Sequence, residues 1–401
     1  MSYPLRYGCF AEVRTPEYIY QFNLNGEIKF IAGLGKDWPD PSEWLKRSVA
    51  NDWVYYSTGG YSGVYEAFGE YYVPCPSYPS NSIHLLNPFE ESAVRNALGR
   101  LQELYRKIAS LLSGSLPDEL RSFFIQVMER HPEVLRKRSQ CLHEIIQGPV
   151  TVLPPDARHV DYEVIPIVAA DGCLYKCSFC MVKSNQDFEI RSQENIQEQI
   201  KRLKDFYGRD IHNHNSIFLA QHDALNAGID LIEYTARQAY EEFEFKRSYV
   251  KGPCLFLFGS VDSIMKSDFK LFERLEKLSF STYINIGFES TDPETLHRLG
   301  KPISSEAVDE AFAKLLEINR MYEKIEITAN FVFGRDLPDG HIPSFYNFMK
   351  RRVEKRLSKG TVYFSPLING RREGKRGIKR EFYRLKNLSP LPTFLYLIQR
   401  L

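Results

Sequence analysis

The chain has 401 residues, of which 43% are hydrophobic and 26% charged, and its formal net charge is +1. These values are those of a folded protein with one large or two ordinary domains, and they exclude wholesale disorder. The N-terminus lacks the apolar core of a signal peptide, and no apolar run is long enough to span a bilayer. Seven cysteines, four of them scattered, do not make a disulfide framework at this length, so we expect a cytoplasmic protein.

Residues 1–155 predict an N-terminal α+β domain. A hairpin comes first, because Asn25-Gly26 separates two apolar-rich arms in "IYQFNLNGEIKFIAG" and this dipeptide favours a tight turn. The aromatic and glycine-rich stretch 52–80 is typical of irregular structure packed on a neighbour, and it equally suits a lid over a pocket. Apolar residues at three- and four-residue steps then predict helices from about residue 88 to 147.

A second domain is predicted to begin after the prolines that end at Pro155, and we place it at residues 156–370. Short apolar strands here alternate with amphipathic helices, which indicates parallel strands covered by helices. The strands are predicted in "YEVIPIVAA", "NSIFLAQHD", "PCLFLFGSV", "TYINIGFES", "IEITANFVFG" and "TVYFSPLI". The helices between them are predicted at residues 193–206, 229–243, 267–278, 304–321 and about 343–357.

Six strand–helix units are fewer than the eight of a closed TIM barrel, so the fold class predicted is α/β with a partial (β/α)6 barrel. In such folds the chemistry lies at the C-terminal ends of the strands, where the loops converge. Residues 371–401 are predicted to form a basic C-terminal extension. Residues 350–386 carry 14 Lys and Arg against 3 Asp and Glu. This excess indicates either a solvated basic segment or a patch that faces phosphate or carboxylate groups.

Three cysteines lie together in "AADGCLYKCSFCMVKS", directly after the first strand of the predicted barrel: Cys173, Cys177 and Cys180. A structural zinc site commonly takes four Cys or His ligands in two separated pairs, and no such second pair is present. Three buried thiols are also conceivable, although Asp171, Gly172 and Lys176 are typical of an exposed loop. The third interpretation is an iron–sulfur cube held by three thiolates, whose fourth iron is open to a substrate or cofactor.

The Cys-x-x-x-Cys-x-Phe-Cys spacing at this position resembles the radical S-adenosylmethionine (SAM) superfamily. Further stretches are similar to landmarks of the branch that includes Elp3-, MiaB- and HemN-like enzymes: "IFLAQHDALNA", "YINIGFESTDPETLHRLGKPIS" and "VYFSPL". The resemblance covers residues 160–370. Several landmarks in the expected order are far more specific than the cysteine triplet alone.

The resemblance implies two cofactors, a 4Fe-4S cluster and SAM. Cys173, Cys177 and Cys180 would hold three irons, and the amino and carboxylate groups of SAM would chelate the fourth. It also implies that Phe179 lies beside the adenine and that Gln221 and Asp223 lie near the SAM amino group. "AQHD" stands here where the family often has Gly-Gly-Glu, and Asp223 by itself would suit a helix cap.

Glu289 and Ser290, at the end of the fourth strand, are implied contacts for the SAM ribose or the substrate. A Glu-Ser pair that caps a helix is the alternative interpretation of these two residues. Ser260, Asp262, Asn330 and Ser365 also end predicted strands and are weaker candidates for the same site. Catalytic residues proper are not indicated by the sequence. Cys9, Cys75 and Cys141 are too far apart in the chain to predict a second cluster.

The implied activity is reductive cleavage of SAM to methionine and a 5′-deoxyadenosyl radical, which abstracts a hydrogen atom from an unidentified substrate. The electron would come from a donor such as flavodoxin or ferredoxin. A small or lipid-like substrate is the favoured hypothesis, with the aromatic stretch or the basic extension as a cover. A tRNA-modifying enzyme that contacts phosphates through residues 350–386 is the first alternative. A non-catalytic zinc or iron–sulfur protein is the second.

Overall fold

A computed structural model of the protein describes residues 8–57, 63–75, 78–83, 87–160, 162–180, 187–220, 222–367 and 375–401. Within these ranges the chain forms an antiparallel sheet followed by three helices, and then a larger parallel sheet covered by helices. The fold is therefore α/β, with a partial barrel of the predicted kind preceded by an antiparallel sheet domain. Short apolar strands rich in Val, Ile and Phe explain the parallel sheet, because both of its faces are buried.

The N-terminal sheet is a meander in which each strand pairs antiparallel with the next. Its strands are β1 (Ala11–Arg14), β2 (Tyr18–Phe22), β3 (Ile28–Gly33), β4 (Trp44–Arg47), β5 (Trp53–Ser57) and β6 (Tyr71–Tyr72). The predicted hairpin is present: β2 pairs with β3, and Gly26 in the turn has a φ of 78°, which glycine adopts without strain. The described part of the aromatic stretch 52–80 forms β5, β6 and the short helix α1 (Val64–Phe68) rather than irregular structure alone.

Three helices follow at the predicted place, namely α2 (Ser92–Leu112), α3 (Asp118–Glu129) and α4 (Pro132–Ile146). Apolar side chains of α2 and α3 share a buried cluster with Tyr20, Phe22 and Tyr55 of the antiparallel sheet. Leu142 and Ile146 of α4 pack instead in the core of the parallel sheet. Helix α4 therefore connects the two cores.

The parallel sheet contains all six predicted strands: β7 (Val164–Val168), β10 (Ser216–Ala220), β11 (Cys254–Gly259), β12 (Ser281–Glu289), β13 (Ile325–Phe333) and β14 (Val362–Pro366). They are ordered along the sheet as in the chain, and every pair is parallel. Two further short strands, β8 (Ala170–Asp171) and β9 (Glu189–Ile190), pair with each other beside the cysteine segment. The C-terminal ends of the six strands therefore lie along one edge, where the site residues were predicted.

The helices around this sheet are α5 (Gln193–Tyr207), α6 (Ile229–Glu242), α7 (Val261–Lys266), α8 (Phe269–Glu276), α9 (Pro293–Arg298), α10 (Ser305–Met321), α11 (His341–Arg352) and α12 (Lys375–Leu388). Four predicted helices agree with α5, α6, α8 and α10 to within two residues at each end. The fifth, predicted near 343–357, begins earlier and ends at Arg352. Helices α7, α9 and α12 were not predicted, since α7 and α9 have only six residues and α12 lies in the basic segment.

A seventh strand extends the parallel sheet beyond the six that were predicted. It is β15 (Thr393–Leu395), which pairs parallel with β14 and lies within residues 371–401, the segment predicted as a basic extension. It has only three residues, which are too few to show the apolar periodicity from which a strand is predicted. The sheet is thus open between β7 at one edge and β15 at the other.

The last six residues pack over this open side of the barrel. We name residues 396–401 the C-terminal strap. The Leu153 N–H donates to the Gln399 carbonyl at 2.8 Å, and the Leu401 N–H donates to the Val150 carbonyl at 3.2 Å. From the N-terminal domain, the Tyr71 hydroxyl donates to the Leu397 carbonyl. The strap therefore ties residues 150–153 and the antiparallel sheet to the barrel edge.

None of the helices in the described ranges is long and apolar enough to cross a membrane.

Candidate active site

The cysteine segment follows β7 and lies at the C-terminal edge of the sheet, as predicted. None of its three cysteines forms a disulfide, and all three line one cavity of ≈ 190 Å³. Ser178 anchors the segment, because its N–H and its hydroxyl both donate to the Leu299 carbonyl, at 2.9 and 2.8 Å. Burial raises the pKa of the Cys177 thiol to about 11 and also raises the pKa of Cys173. These thiols therefore lose their protons on binding a metal rather than by ordinary titration near neutral pH.

Asp223 lies beside the cysteines, at the end of β10. Its carboxylate accepts hydrogen bonds from the N–H of Ser260 at 3.0 Å and from the hydroxyl of Ser260 at 2.6 Å. Burial raises the pKa of Asp223, although the hydrogen bonds from Ser260 oppose this shift. Both residues line the cavity, so two adjacent strand ends, of β10 and β11, contribute to one wall.

Glu289 ends β12 with a left-handed backbone, at a φ of 66°, where the pairing register with β13 shifts. A bulge of this kind turns a side chain away from the regular alternation of the strand. The Glu289 carboxylate is buried and accepts hydrogen bonds from Lys301 Nζ and Asn330 Nδ2, both at 3.2 Å. The Asn330 Oδ1 atom in turn accepts from the Ser365 hydroxyl at 3.0 Å. Glu289, Lys301 and Asn330 all line the cavity.

The cavity continues into the barrel, toward Asn285. The Asn285 amide donates from Nδ2 to the Thr328 hydroxyl oxygen at 2.9 Å, and that hydroxyl donates to Asp156 at 2.9 Å. Because the Thr328 hydroxyl gives its proton to Asp156, its oxygen accepts from the Asn285 amide, and the Asn285 carbonyl oxygen is the group left available to the cavity. Tyr363 also donates to Asp156, at 2.8 Å. Burial raises the pKa of Asp156 to about 7.

Apolar and aromatic groups complete the lining of the cavity. They are Val152, Phe179, Phe258 and Tyr396. The Tyr396 hydroxyl donates to the Leu153 carbonyl at 2.5 Å, which fixes its ring in the wall. Tyr396 and Val152 pack in one buried cluster with Cys75 and Tyr78 of the N-terminal domain. Both elements considered as a cover, the aromatic stretch and the C-terminal segment, thus contact this side of the site.

The cavity brings together most of the residues predicted from sequence. Cys173, Cys177, Cys180, Phe179, Asp223 and Glu289 line it, as do the weaker candidates Ser260 and Asn330. Ser365 reaches it through Asn330, and the Asp262 N–H donates to the Tyr175 hydroxyl, another residue of the wall, at 3.1 Å. Gln221 lies outside the described residues.

Ser290 is placed differently from the other predicted residues. Its hydroxyl contacts Nδ1 of His341 at 2.8 Å and accepts a hydrogen bond from the Asp292 N–H at 3.0 Å. The other ring nitrogen of His341 contacts the Val332 carbonyl at 2.8 Å, so it must donate there and Nδ1 must accept from Ser290. Ser290 is fully buried in these contacts and holds the turn after β12, outside the wall of the cavity in the described structure.

A profile of the radical SAM superfamily matches residues 167–349. These residues belong to the radical SAM superfamily. The matched range contains the three cysteines, Phe179, Asp223, Glu289 and Lys301. This match favours an enzyme of this class over the alternative of a non-catalytic metal-binding protein. Radical SAM enzymes use a 4Fe-4S cluster and SAM, and they need a reductant and a substrate.

Solved structures with similarity to the chain are also radical SAM enzymes. One is the cobalamin-dependent S-adenosylmethionine radical enzyme OxsB, at 15% identity and a TM-score of 0.37 over 56% of this chain and 30% of that one. A radical SAM methyltransferase from Sphaerobacter thermophilus has 13% identity and a TM-score of 0.37, over 58% of this chain and 65% of that one. Methylornithine synthase (PylB) has 12% identity and a TM-score of 0.36, over 72% of this chain and 81% of that one. The chain thus spans under a third of OxsB, and no curated protein matches it.

The donor set in the cavity fits the cofactors of a radical SAM domain. Three thiols that share one wall suit a cube that binds each cysteine to a different iron. In the described residues, no group of three or more His, Cys, Asp or Glu side chains is arranged to hold a single metal ion. Buried carboxylates and an ammonium beside the thiols match the ammonium and carboxylate groups of SAM in charge.

The cavity residues that the sequence reasoning missed include three polar side chains: Asn285, Lys301 and Tyr396. Asn285 precedes Gly287 by two residues on β12, before the bulge, so strand alternation could have indicated that both face one side. Lys301 is the lysine of the "GK" in the stretch that resembles the family, but its ammonium group was not considered as part of the site. Tyr396 follows a three-residue strand near the end of the chain and carried no signal.

Proposed function

We propose that this radical SAM enzyme holds its cluster through Cys173, Cys177 and Cys180 and acts on a small or lipid-like, uncharged molecule. When bound, the reduced cluster and SAM supply a 5′-deoxyadenosyl radical, and the remaining chemistry depends on how the chain orients its partners. Phe179, Asp223 and Glu289 are the groups that we assign to SAM, with Gln221 and Ser290 as further predicted contacts. Asp223 and Glu289 are buried, so little water is in contact with these two carboxylates.

The single observation that supports an uncharged substrate is the set of apolar and neutral groups in the cavity lining. Val152, Phe258 and Tyr396 present apolar surface, and the charged groups nearby are already paired with each other or hydrogen-bonded. Asn285 adds one neutral carbonyl oxygen whose orientation Thr328 and Asp156 set. A substrate that buries an N–H or O–H donor against this oxygen gains a hydrogen bond, and the apolar surface beside it disfavours the burial of a charge.

The cluster assignment is tested by anaerobic reconstitution of the wild type, C173A, C177A and C180A. We expect each of these variants to lose bound iron and sulfide, and to form no 5′-deoxyadenosine with SAM and dithionite. C141A is the matched control, because Cys141 is an exposed cysteine on α4 and should keep both properties. A variant of the triplet that retains a full cluster and forms product would show the assignment to be wrong.

The substrate class is tested by adding fractions to the reconstituted enzyme and measuring the rate of 5′-deoxyadenosine formation. An ultrafiltered metabolite fraction or a lipid extract should raise the rate, and total tRNA should not. Stimulation by tRNA alone would contradict the proposal of a small substrate.

A tRNA-modifying enzyme is the second candidate, and exposed arginines on α12 favour it. Arg376, Arg380 and Arg384 are spaced four residues apart and lie on one exposed helix face. If they contact phosphates, tRNA binding should weaken steeply with salt, and R376Q/R380Q/R384Q should flatten this dependence. Salt-independent or absent tRNA binding would remove this candidate.

A further inference from the structure

Lys301 lies on a turn that is tied directly to the cysteine segment. The turn follows α9 and contains Gly300 with a φ of 65°, a backbone that favours glycine. The preceding carbonyl, of Leu299, accepts both hydrogen bonds from Ser178, which stands between Cys177 and Cys180. A displacement of either segment would therefore displace the other, and Lys301 keeps a constant position relative to the thiols.

The ammonium group of Lys301 is buried and only partly satisfied by the chain. It donates to the Gly287 carbonyl at 2.5 Å and to the Glu289 carboxylate at 3.2 Å, and its side chain is 4% exposed. An ammonium has three N–H donors, so one remains beyond these two bonds. Lys301 lines the same cavity as the three cysteines, and its Nζ lies 5.2 Å from the centre of the Tyr175 ring. The protein has thus placed a cation in the wall of the thiol site.

Lys301 and its counter-charge Glu289 are held differently. One Glu289 oxygen accepts from Lys301 and the other from Asn330, both at 3.2 Å, so the carboxylate is divided between two donors. The Lys301 ammonium lines the cavity together with the three cysteines. Because the site is buried, a charge in this wall acts on the sulfurs with less screening than it would in water.

We propose that Lys301 is a positioning residue that sets the electrostatics of the cluster site: its buried ammonium stabilises the deprotonated cysteine sulfurs and raises the reduction potential of the cluster that they hold. This inference rests on the proposed assignment of Cys173, Cys177 and Cys180 to the cluster. Reduction adds one electron from the external reductant, with no bond formed or broken, and makes the site more negative. A fixed cation stabilises that added charge more strongly in a buried site than in water.

The test compares the wild type, K301M, K301R and E289Q after anaerobic reconstitution. Iron and sulfide are measured first, and the reduced cluster is then followed by electron paramagnetic resonance during a dithionite redox titration. K301M should lower the ratio of reduced to oxidised cluster at least tenfold at a fixed potential, about 59 mV for a one-electron couple. K301R should stay near the wild type. E289Q keeps the cation and removes its counter-charge, so its potential should move in the opposite direction.

K314M is the matched control. Lys314 is a half-buried lysine whose ammonium donates to the Met265 and Ser267 carbonyls, outside the cavity wall in the described structure. Its loss should leave the potential unchanged. A folded K301M that takes up no iron while K301R takes up a full cluster would also support the inference, since the sulfurs then lack their stabilising charge.

Two results would overturn the inference. An intact cluster in K301M with a wild-type potential would show that Lys301 has no electrostatic role, and the proposed function would stand. An equal shift in K314M would show that the effect is not specific to the cavity. If the wild type itself bound no iron, the cluster assignment and this inference would both fall, and the iron analysis distinguishes that case from the others.

Discussion

Glu289 has a left-handed backbone conformation, which is unusual for a residue other than glycine. A non-glycine residue in the left-handed region costs about 1 kcal/mol or more and is kept where the surroundings determine it. Here the bulge directs a carboxylate to Lys301 and Asn330, in the wall of the cysteine cavity. The strained residue is therefore the one whose carboxylate pairs with Lys301 in the cavity wall.

Gly287 leaves the space that this carboxylate occupies. A Cβ atom at residue 287 would lie 2.5 Å from Glu289 Oε1 and 3.3 Å from Lys301 Nζ. We expect G287A to fold but to displace the carboxylate, with loss of one charged hydrogen bond of about 1.5–3 kcal/mol. SAM binding to the reconstituted protein should weaken about tenfold to a hundredfold, as measured by equilibrium dialysis.

G99A is the control for this substitution. Gly99 lies on an exposed face of α2, where an added Cβ meets no atom within 4 Å. Alanine there should leave SAM binding unchanged and stabilise the helix by about 0.5–1 kcal/mol. Wild-type affinity for SAM in G287A would mean that the position of Glu289 does not matter for the cofactor.

Among the elements, the C-terminal strap shows how a few residues complete a barrel that the strands leave open. Asn81 holds it through two reciprocal bonds: its amide donates to the Ile398 carbonyl at 2.8 Å and accepts from the Ile398 N–H at 3.1 Å. Tyr396, in the same strap, forms part of the cavity wall. Closure of the site therefore depends on contacts between the first hundred residues and the last six.

We expect N81A to loosen the strap without unfolding the barrel. Both backbone groups of Ile398 lose their partner, at a cost of about 1–3 kcal/mol. Amide hydrogen exchange in residues 396–401 should accelerate, while exchange in the central strand β12 stays at the wild-type rate. N387A, a change on the exposed face of α12, should alter neither rate. Unchanged exchange in the strap would show that Asn81 does not hold it.

The basic segment, residues 350–386, forms contacts that its charge alone does not indicate. Arg351 and Arg352 pair with Asp309, and the Lys359 ammonium donates to the carbonyls of Tyr322 and Glu323. Lys386 donates to the Glu66 carbonyl. These four basic residues thus contact neighbouring segments of the chain, whereas Arg376, Arg380 and Arg384 lie exposed on α12.

At the scale of the whole molecule, a buried polar interface joins the antiparallel sheet to the barrel. Lys29 of β3 pairs with Glu163 at 2.5 Å, and Tyr162 donates to Asp210 at 2.8 Å. His214 packs between the rings of Tyr162 and Tyr207, and its Nε2 has no hydrogen-bond partner among the described residues. A proton on that nitrogen would be a buried donor without an acceptor.

This interface predicts a dependence of stability on pH. Burial lowers the pKa of His214 to about 4, and the nearby Glu163 carboxylate only partly offsets the effect. Because the folded-state pKa lies below the unfolded value, His214 favours folding above about pH 6.5 and loses that contribution as the pH falls toward 4. Acidification over this range should cost at most about 3 kcal/mol through this group.

H214F keeps a ring in the interface and removes the titrating nitrogen. Urea denaturation at pH 7.5 and pH 5 should show a smaller loss of stability on acidification for H214F than for the wild type, by about 2 kcal/mol at most. H297F, at an exposed histidine, should follow the wild type. An identical loss in H214F and the wild type would place the acid sensitivity elsewhere.

The sequence by itself determined the alternation of strands and helices, the place of the cysteines after the first barrel strand and the resemblance to radical SAM enzymes. These features are local: apolar period and cysteine spacing depend on residues that are neighbours in the chain. The family match over residues 167–349 confirms the resemblance, and the parallel sheet confirms the fold class. The roles of individual site residues remain predictions.

Only the tertiary structure decided which distant residues share the cavity and what each one's partner is. Lys301 pairs with Glu289. Asp156 orients Asn285 through the Thr328 hydroxyl. Tyr396, from the C-terminal strap, contributes to the cavity wall. Strand periodicity indicates which side of a strand a residue faces, but it carries no information on the atom opposite. The physical reason is that a hydrogen bond or an ion pair depends on distances of a few ångström between groups that chain connectivity leaves far apart.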